Sequence, residues 1–371
     1  MNLRFIYLYA FLFSFIANVS SAQDFTSEGM KLRLEPVTSG EGVVWGFEFL
    51  DSQNIILTNR IGTLKVFNLT TKKTQQITGV PKVLAVGQGG LMDVALHPEF
   101  SKNKLVYLSY TCGTASAATS CLGRGVLKNN TLDGFEKIFE VQKPFPSTLN
   151  IGSRLAWGKG NALFMTMGDH FDKARDNAQK LNSHIGKVLK LTDSGKPAPG
   201  NPFAATAGAL PEIYSLGHRN AQGLFYDSTT DTLWEQEHGA RGGDEINVIV
   251  AGKNYGWPVI SYGVNYDGTK IGEGTSKPGM EQPLHYWDPS IAPSGLLIYR
   301  GTALEGWSGD VFSGALKLTH LNRLRIKDGK VVNEERLLQD NGKRIRDVKE
   351  GPDGWIYLST DSGEIFRIVK Q

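Results

Sequence analysis

The densest group of residues capable of chemistry runs from Glu237 to Asn247, EHGARGGDEIN, and is followed by NYGWP at Asn254–Pro258. Three glycines free the backbone to turn carbonyl oxygens inward, while Asp244 and Glu245 supply carboxylates beside a phenol and amides. Hard oxygen donors of this kind are the ligands that Ca²⁺ takes. Because the spacing does not match an EF-hand loop, two interpretations are open, a calcium-binding loop and a solvated polar turn.

Several cationic side chains are candidates for binding an anion. Arg219 stands beside Asn220 directly before an apolar run, and a guanidinium can hold a carboxylate through two parallel hydrogen bonds. Lys317 is a further cation, and Arg344 and Arg346 alternate, so that on a strand they share one face. Two arginines on one face suit a polyanionic ligand. The alternative for each residue is an ordinary surface ion pair.

Other chemistries find little support. The glycine-rich run Gly87–Leu91 is followed by no helical pattern and lacks the lysine of a phosphate-binding loop. The sequence has no Gly-x-Ser-x-Gly elbow and no zinc-type histidine pair at helical spacing, which disfavours serine hydrolases and zinc enzymes. A net charge of +3 without a basic run gives no support for nucleic-acid binding.

The elements that position these side chains are predicted to be strands. Glycine is abundant, at 43 of 371 residues, and no apolar helical period is sustained over three turns. Instead, a unit of two β-rich runs joined by a turn recurs. The six units are Trp45–Leu57, Met92–Ser109, Arg154–Thr166, Gln222–Glu235, Gly295–Phe312 and Arg346–Ser359. They predict an all-β fold, a six-bladed β-propeller, formed as one domain by residues 23–371.

Two further elements are expected. The C-terminal run Gly363–Val369 alternates like a strand. In a closed ring, an N-terminal strand at Leu32–Val37 completes the same blade and removes exposed edges. Ala174–Leu191 is the best candidate for one short helix.

The first 22 residues predict a secretory signal peptide. Arg4 precedes an apolar run, Phe5–Ala17, and small residues end the segment at Ala22. The run is too short to span a bilayer, so no stable membrane insertion is expected. Export brings Cys112 and Cys121, the only cysteines, into an oxidising compartment, where a disulfide closing a hairpin loop is expected. The predicted location is periplasmic or secreted.

Five motifs occur in one order along the chain: GQGGL with ALHPEF, then LGHRNAQG, EHGARGGDEIN, NYGWP and RIRDV. Together they resemble the soluble aldose sugar dehydrogenases, the glucose/sorbosone dehydrogenase family. The resemblance runs from about Leu34 to Ile368, nearly the whole mature chain. It implies a six-bladed propeller that uses pyrroloquinoline quinone and calcium.

The resemblance also implies which residues hold the cofactors. Calcium is expected on the carbonyl oxygens of Gly239 and Ala240, with Glu245 and Tyr255 close by. A tricarboxylate cofactor needs several cations, and a hard cation polarises a quinone carbonyl so that it can accept hydride. The implied contacts to pyrroloquinoline quinone are Gln88, Arg219, Asn220, His238, Lys317, Arg344 and Arg346.

One position departs from the family's pattern. Relatives carry a histidine four residues before the arginine of the Gly-x-Arg-Leu stretch, where it takes the proton of the sugar's anomeric hydroxyl; here that position is Asn150. An amide is no general base near neutral pH, and loss of such a base typically costs about 10²–10⁴ in rate. The acidic residue that orients the histidine is retained as Asp169. The implied catalytic set is therefore Asn150, Asp169 and Arg219.

Three interpretations of Asn150 are open. The protein is an active dehydrogenase with Asp169 or His170 as substitute base, a slow enzyme that keeps its cofactor, or a propeller that binds quinone, metal or carbohydrate without oxidation. A calcium-dependent lactonase on a similar propeller is a rival from another class, but it does not need converging basic residues. A pure interaction scaffold predicts no calcium-linked stability.

The resemblance also implies a reaction. An aldose is oxidised to its lactone, hydride passes to the quinone, and an external electron acceptor reoxidises the cofactor. The edges of the propeller offer a face for a homodimer. No nucleic-acid partner is expected.

Overall fold

The structure, a computed structural model, describes residues 21–142 and 147–371. In these ranges the strands form six antiparallel sheets. The innermost strands of neighbouring sheets contact one another in a closed cycle, which confirms the predicted all-β, six-bladed propeller. All but the last two residues of the predicted signal peptide lie outside the described residues.

Blades 1 to 3 each begin at the propeller axis and end at its rim, and two strands that precede them join the last blade. The N-terminal strands are β1 (Gln23–Ser27) and β2 (Met30–Thr38). The strands of blades 1 to 3 are β3 (Val44–Phe49), β4 (Asn54–Asn59), β5 (Thr63–Asn68) and β6 (Thr74–Ile77); β7 (Leu91–Leu96), β8 (Leu105–Thr114), β9 (Ala117–Lys128) and β10 (Thr131–Glu140); and β11 (Gly152–Trp157), β12 (Leu163–Met167), β13 (Lys187–Leu191) and β14 (Ile213–Leu216).

Blades 4 to 6 repeat this arrangement. Their strands are β15 (Ala221–Asp227), β16 (Thr232–Glu237), β17 (Asp244–Ile249) and β18 (His285–Trp287); β19 (Pro293–Ile298), β20 (Val311–Ala315), β21 (Leu321–Lys327) and β22 (Lys330–Leu337); and β23 (Ile345–Glu350), β24 (Ile356–Thr360) and β25 (Ile365–Lys370). The helices are α1 (Phe100–Asn103) and the 3₁₀ helices Lys159–Asn161, Asp172–Gln179 and Gln339–Asn341. No helix in the described ranges combines the length and the apolar character needed to cross a membrane.

Each of the six predicted units supplies the two innermost strands of one blade. Trp45–Leu57 covers β3 and β4, and Arg346–Ser359 covers β23 and β24. Phe47 of β3 and Tyr357 of β24 belong to one buried apolar cluster, so neighbouring blades pack face to face. Strands buried on both faces appear in a sequence as short continuous apolar runs, and for this reason the inner strands were the recognisable ones.

The predicted closure of the ring is confirmed. β2 pairs antiparallel with β25, with Leu34 opposite Ile368, so the N-terminal strand completes the blade that the C-terminal strands begin. The observed strand contains the predicted Leu32–Val37, and β1 adds a further strand outside it. Pairing the two ends of the chain covers an edge that would otherwise be open.

The short helix expected within Ala174–Leu191 is confined to the beginning of that segment. The 3₁₀ helix Asp172–Gln179 covers only its first part, and its last part is strand β13. The amino group of Lys187 donates to the carbonyl oxygen of Ala178 at 2.9 Å and so ties the strand to the helix. Burial lowers the pKa of Lys187 to about 7. The apolar residues that are spaced like one face of a helix therefore belong to two different elements.

The expected disulfide is present between Cys112 on β8 and Cys121 on β9. We expect replacement of both cysteines by serine to lower the free energy of unfolding by about 2–3 kcal/mol, because the bond closes a short loop and restricts the unfolded chain. Denaturant titration of the oxidised wild type and the double variant measures the difference. An unchanged midpoint with an unchanged slope would contradict this prediction.

Candidate functional site

A cavity of about 210 Å³ opens where the six blades meet. Its walls come from the first residues of the inner strands, the turns before them and the turns after the second strands. Because every blade begins at the same end of the axis, residues distant in sequence converge there. The lining residues are Trp45, Arg60, Gly87, Gln88, Met92, Ile151, Asn220, Gln222, His238, Ala292, Leu316, Arg344 and Arg346.

The two cavity arginines share one carboxylate. Arg346 donates to Asp361 from Nε at 2.8 Å and from Nη2 at 3.0 Å, and Nε of Arg344 donates to the same carboxylate at 2.8 Å. Burial raises the pKa of Asp361, but the two guanidinium groups outweigh burial and hold that pKa below its ordinary value. Two cations against one anion leave the cavity wall with a net positive charge.

Arg154 holds the cavity wall from beneath. Its Nε donates to the carbonyl oxygen of Gln222 at 2.8 Å, and its Nη2 donates to that of Arg346 at 2.7 Å. Its Nη1 lies 3.3 Å from a carboxylate oxygen of Asp93 and 3.3 Å from one of Asp347. The side chain is 3% exposed. A buried guanidinium thus fixes the backbone of two cavity residues.

A glycine loop presents Gln88 to the cavity. Gly87, with φ of 60°, and Gly90, with φ of 148°, adopt conformations that favour glycine, and a Cβ on Gly90 would lie 1.9 Å from the carbonyl oxygen of Arg60. Nη1 of Arg60 donates to the carbonyl oxygen of Gly87 at 2.8 Å. Oε1 of Gln88 accepts the backbone N–H of Asn150 at 2.7 Å. The loop therefore joins the second blade to the predicted catalytic position.

Asn150 and Asp169 form a hydrogen-bonded pair beside the cavity. Nδ2 of Asn150 donates to Oδ1 of Asp169 at 2.8 Å. The same oxygen accepts the N–H of Phe171 at 2.8 Å, and Oδ2 accepts the indole N–H of Trp257 at 2.9 Å. The other polar atom of the Asn150 amide, Oδ1, can only accept a hydrogen bond. Burial raises the pKa of Asp169, while Arg219 acts in the opposite direction.

His170, the other candidate base, is buried, and its φ is 55°. Its Nδ1 lies 3.5 Å from the carbonyl oxygen of Ser147, and burial lowers its pKa. Like Asn150 and Asp169, it is not among the residues that line the central cavity. The backbone N–H of His170 donates to the carbonyl oxygen of Asn150 at 3.2 Å, whereas Asp169 contacts the side chain of Asn150.

His238 enters the cavity as a neutral imidazole. Its Nε2 lies 2.8 Å from the carbonyl oxygen of Pro293, an atom that only accepts, so this contact assigns the ring hydrogen to Nε2. Nδ1 is then an acceptor. Burial lowers the pKa of His238 to about 3, and neighbouring arginines act in the same direction.

A second, smaller cavity adjoins the first at His238 and contains other predicted residues. Arg219, Gly239, Glu245 and Tyr255 line it. Nη1 of Arg219 donates to the carbonyl oxygen of His238 at 3.1 Å and to that of Gly239. Carbonyl oxygens that converge on a positive charge beside a carboxylate are a donor set suited to a hard cation.

Two predicted residues have a different role or position, and a third, Ala240, lies in the predicted turn. The hydroxyl group of Tyr255 donates to the carbonyl oxygen of Val248 at 2.6 Å and accepts the N–H of Val250 at 2.9 Å, so this phenol fastens the backbone. Lys317 is exposed and lines neither cavity. Ala240 is buried in the turn that follows β16.

Three residues that shape the site carried no assigned role in the sequence. Arg60 follows an inner hairpin, and Asp361 lies in the turn between β24 and β25, where neither belongs to a motif. Trp257 lies within the NYGWP motif, where the indole had no predicted partner. An aromatic N–H close to a buried carboxylate is a signal that only the folded chain provides.

A closed propeller with a polar, cationic cavity on its axis defines a class of protein whose central cavity is suited to an anionic small molecule. Residues 42–367 match the glucose/sorbosone dehydrogenase family, and the chain belongs to that family. The resemblance to this family that the five motifs predict is thereby confirmed.

Relatives and solved structures agree with this assignment. The chain is 40% identical to an aldose sugar dehydrogenase of Escherichia coli over 87% of this chain and 89% of the relative. The apo-form structure of the soluble aldose sugar dehydrogenase from Escherichia coli has a TM-score of 0.87 and 38% identity, and the match covers 92% of this chain and 100% of that one. The structure of the PQQ-bound aldose sugar dehydrogenase from Streptomyces coelicolor shares the fold, with a TM-score of 0.75, 24% identity and coverage of 95% and 98%.

The half-buried His238 is expected to make the folded protein sensitive to acid. Its pKa is about 3 in the fold and ordinarily 6.5, so between these values the unfolded chain binds one more proton and stability decreases as pH falls. The contribution of His238 to the change in the free energy of unfolding approaches about 1.4 kcal/mol per pH unit. Denaturant unfolding of wild type and His238→Gln at several pH values between 4 and 6 measures this contribution. The free energy of unfolding of the variant should change less with pH than that of wild type. Equal slopes would refute the assignment.

Proposed function

We propose that this protein is an exported quinoprotein that oxidises aldose sugars to lactones, with pyrroloquinoline quinone and Ca²⁺ as cofactors and an external electron acceptor. The observation that carries the proposal is the convergence of Gln88, Asn220, His238, Arg344 and Arg346 in one cavity on the axis. When bound, the quinone supplies a hydride acceptor and the calcium ion a Lewis acid.

The residues present fit a polycarboxylate cofactor. Arg344 and Arg346 both pair with the single carboxylate of Asp361, so one of their two positive charges is not neutralised and is available to a ligand. Nε of Arg219 is buried without a hydrogen-bond partner among the described residues, which leaves a charged donor for a ligand carboxylate. His238 and Asn220 add neutral polar groups. A lactonase offers no reason for a wall of this charge.

The turn after β16 fits a calcium ion. A Cβ on Gly239 would lie 2.2 Å from the carbonyl oxygen of Gly242, so the turn tolerates no side chain there and its carbonyl oxygens stay close together. Asp244 holds the turn by accepting the N–H of Gly239 at 2.8 Å. The carbonyl oxygens of Gly239 and Ala240 and the carboxylate of Glu245 would hold the ion.

The protein's own residues orient the sugar more readily than they remove its proton. Oδ1 of Asn150 accepts a hydrogen bond from a sugar hydroxyl, while Asp169 keeps the amide in place. Oδ1 of Asp169 already accepts two hydrogen bonds and Oδ2 accepts one, so only one acceptor site of this carboxylate is left for a proton. We therefore propose slow turnover with Asp169 as the proton acceptor.

A second candidate is a relative that binds quinone, calcium or carbohydrate without oxidising it. The observation that favours it is the Asn150 amide at the position where a base is required. Cofactor binding and orientation of the sugar do not depend on that base, so they survive in both candidates.

Export is part of the proposal. The apolar segment Phe5–Ala17 and the Cys112–Cys121 disulfide support an oxidising destination, the periplasm or the exterior. We expect the protein recovered after expression in a bacterial host to begin at Gln23, since the signal peptide ends at Ala22. Intact-mass measurement checks this, and a recovered chain that still carries residues 1–22 would contradict it.

Replacing Arg344 and Arg346 together by alanine should weaken quinone binding by about 10²–10⁴-fold, because two charge-assisted contacts of about 1.5–3 kcal/mol each are lost. Fluorescence or absorbance titration with pyrroloquinoline quinone in excess Ca²⁺ measures the affinity. Arg336→Ala is the matched control, because Arg336 pairs with Glu334 on the outer strand β22. Unchanged affinity in the double variant would exclude this wall as the cofactor site.

Asn150→His should raise the rate of aldose oxidation by about 10²–10⁴-fold, because it supplies the missing general base next to the carboxylate that would orient it. Steady-state assays of the cofactor-loaded enzyme with a dye acceptor measure kcat. In an Asp169→Asn background the gain should largely vanish. A variant that binds cofactor normally and gains no activity would show that proton removal does not limit turnover.

A further inference from the structure

A cluster of buried ionisable side chains lies on the face of blade 4 that packs against blade 3. Glu235 and Glu237 project from β16 to the same side as Asn247 and Glu245, their partners on β17. His218 lies just before β15. His218 and Glu235 are fully buried, and Glu237 is 4% exposed. None of the three lines the central cavity, and Glu237 lines the second, smaller cavity.

The separations within this cluster match those of metal ligands. Nδ1 of His218 lies 3.3 Å from Oε1 of Glu237 and 3.9 Å from Oε2 of Glu235. One ligand atom of each residue lies within 4.8 Å of the other two. A cation that lies in the plane of three atoms so separated, and is equidistant from them, lies about 2.4 Å or less from each, which is the range of bonds from imidazole and carboxylate to divalent cations.

Unpartnered acceptors give independent support. Oε1 of Glu235 and Oδ1 of Asn247 are buried without a hydrogen-bond partner in the described ranges, and Asn247 donates to the other oxygen of Glu235 at 3.2 Å. Burial, followed by the charge of Glu237, raises the pKa of Glu235 well above its ordinary value. In the described part of the chain, the only ion-pair partner of Glu235 and Glu237 is His218. A bound cation would favour the charged form of both carboxylates, which burial otherwise disfavours.

His218 is held as a metal-ligating histidine is. Its Nε2 lies 2.8 Å from Oγ of Ser215, and a partner on the far nitrogen fixes the ring with Nδ1 toward the carboxylates. Serine, histidine and glutamate in this order also resemble a hydrolase triad. Ser215 and His218 are 0% exposed, however, so a substrate does not reach the hydroxyl.

We propose that His218, Glu235 and Glu237 bind a divalent transition-metal cation, Mn²⁺ or Zn²⁺. An imidazole ligand favours these ions over Ca²⁺ and Mg²⁺, which take oxygen ligands. Glu237 also accepts the backbone N–H of Arg219 and, at 3.3 Å, that of Asn220. The cation therefore fixes the turn that carries two predicted cofactor contacts. This site is independent of the proposed oxidation of sugars.

The test measures metal in the full-chain protein. Wild type, Glu235→Gln and Glu245→Gln are produced with Zn²⁺ or Mn²⁺ in the medium, dialysed briefly against a chelator, and analysed by plasma mass spectrometry. We expect about one transition-metal ion per wild-type chain and at least about a tenfold loss in Glu235→Gln. Glu245→Gln, a neighbouring carboxylate on the same face, should keep this ion and lose calcium affinity.

Wild type without a transition metal, or Glu235→Gln with the wild-type amount, would overturn the proposal. The stability of Glu235→Gln gives a second readout, because removing an unpaired buried carboxylate stabilises a fold whereas removing a metal ligand destabilises it. If the variant does not fold, X-ray absorption of the wild type decides. A spectrum with the outer-shell scattering of a coordinated imidazole ring supports the site, and a metal spectrum without it rejects the site.

Discussion

The guanidinium of Arg154, buried on the propeller axis, is the group on which the rest of the structure depends. From β11 it reaches four other blades. It lies over the ring of Trp45 at 4.0 Å, pairs with Asp93 and Asp347, and donates to the carbonyl oxygens of Gln222 and Arg346. Desolvating such a charge is costly, and two carboxylates with two carbonyl oxygens offset that cost. The contacts that stabilise the axis therefore also position the cavity wall.

The charged groups of the cavity above Arg154 favour the binding of an anion. They do not provide a base for proton transfer. Arg344 and Arg346 outnumber the single carboxylate of Asp361, so the wall attracts anions. His238 is neutral, and Asn150 carries an amide where oxidation of an alcohol needs a base. A cavity of this kind is well adapted to hold a polycarboxylate and weakly adapted to deprotonate a sugar. Membership in the family is therefore consistent with the slow turnover that we propose.

Patterns local in sequence predicted most of the fold. The six apolar units identified the inner strands, and the alternating segment at Gly363–Val369 led to the pairing of β2 with β25. In the segment Ala174–Leu191 the expected short helix covers only the first residues, because the later apolar residues belong to a buried strand. The spacing of apolar residues indicates which positions are buried, but it does not indicate whether a position belongs to a helix or to a strand.

The site was predictable only where motifs mark it. Family motifs identified Gln88, Asn220, His238, Arg344 and Arg346, which share one cavity, whereas Lys317 lies exposed outside it. Contacts between distant segments left no local trace in the sequence. They include Arg154 with Asp93 and Asp347, Arg346 with Asp361, and Asp169 with Trp257.

The most direct test of the central claim is a titration of metal-stripped protein with Ca²⁺ and pyrroloquinoline quinone, followed by a panel of aldoses with a dye acceptor, while the absorbance of the cofactor is recorded. The account predicts calcium-dependent binding of about one quinone per chain and slow reduction by at least one aldose. Absence of quinone binding in the presence of Ca²⁺ would contradict it and leave the cationic cavity without its proposed ligand.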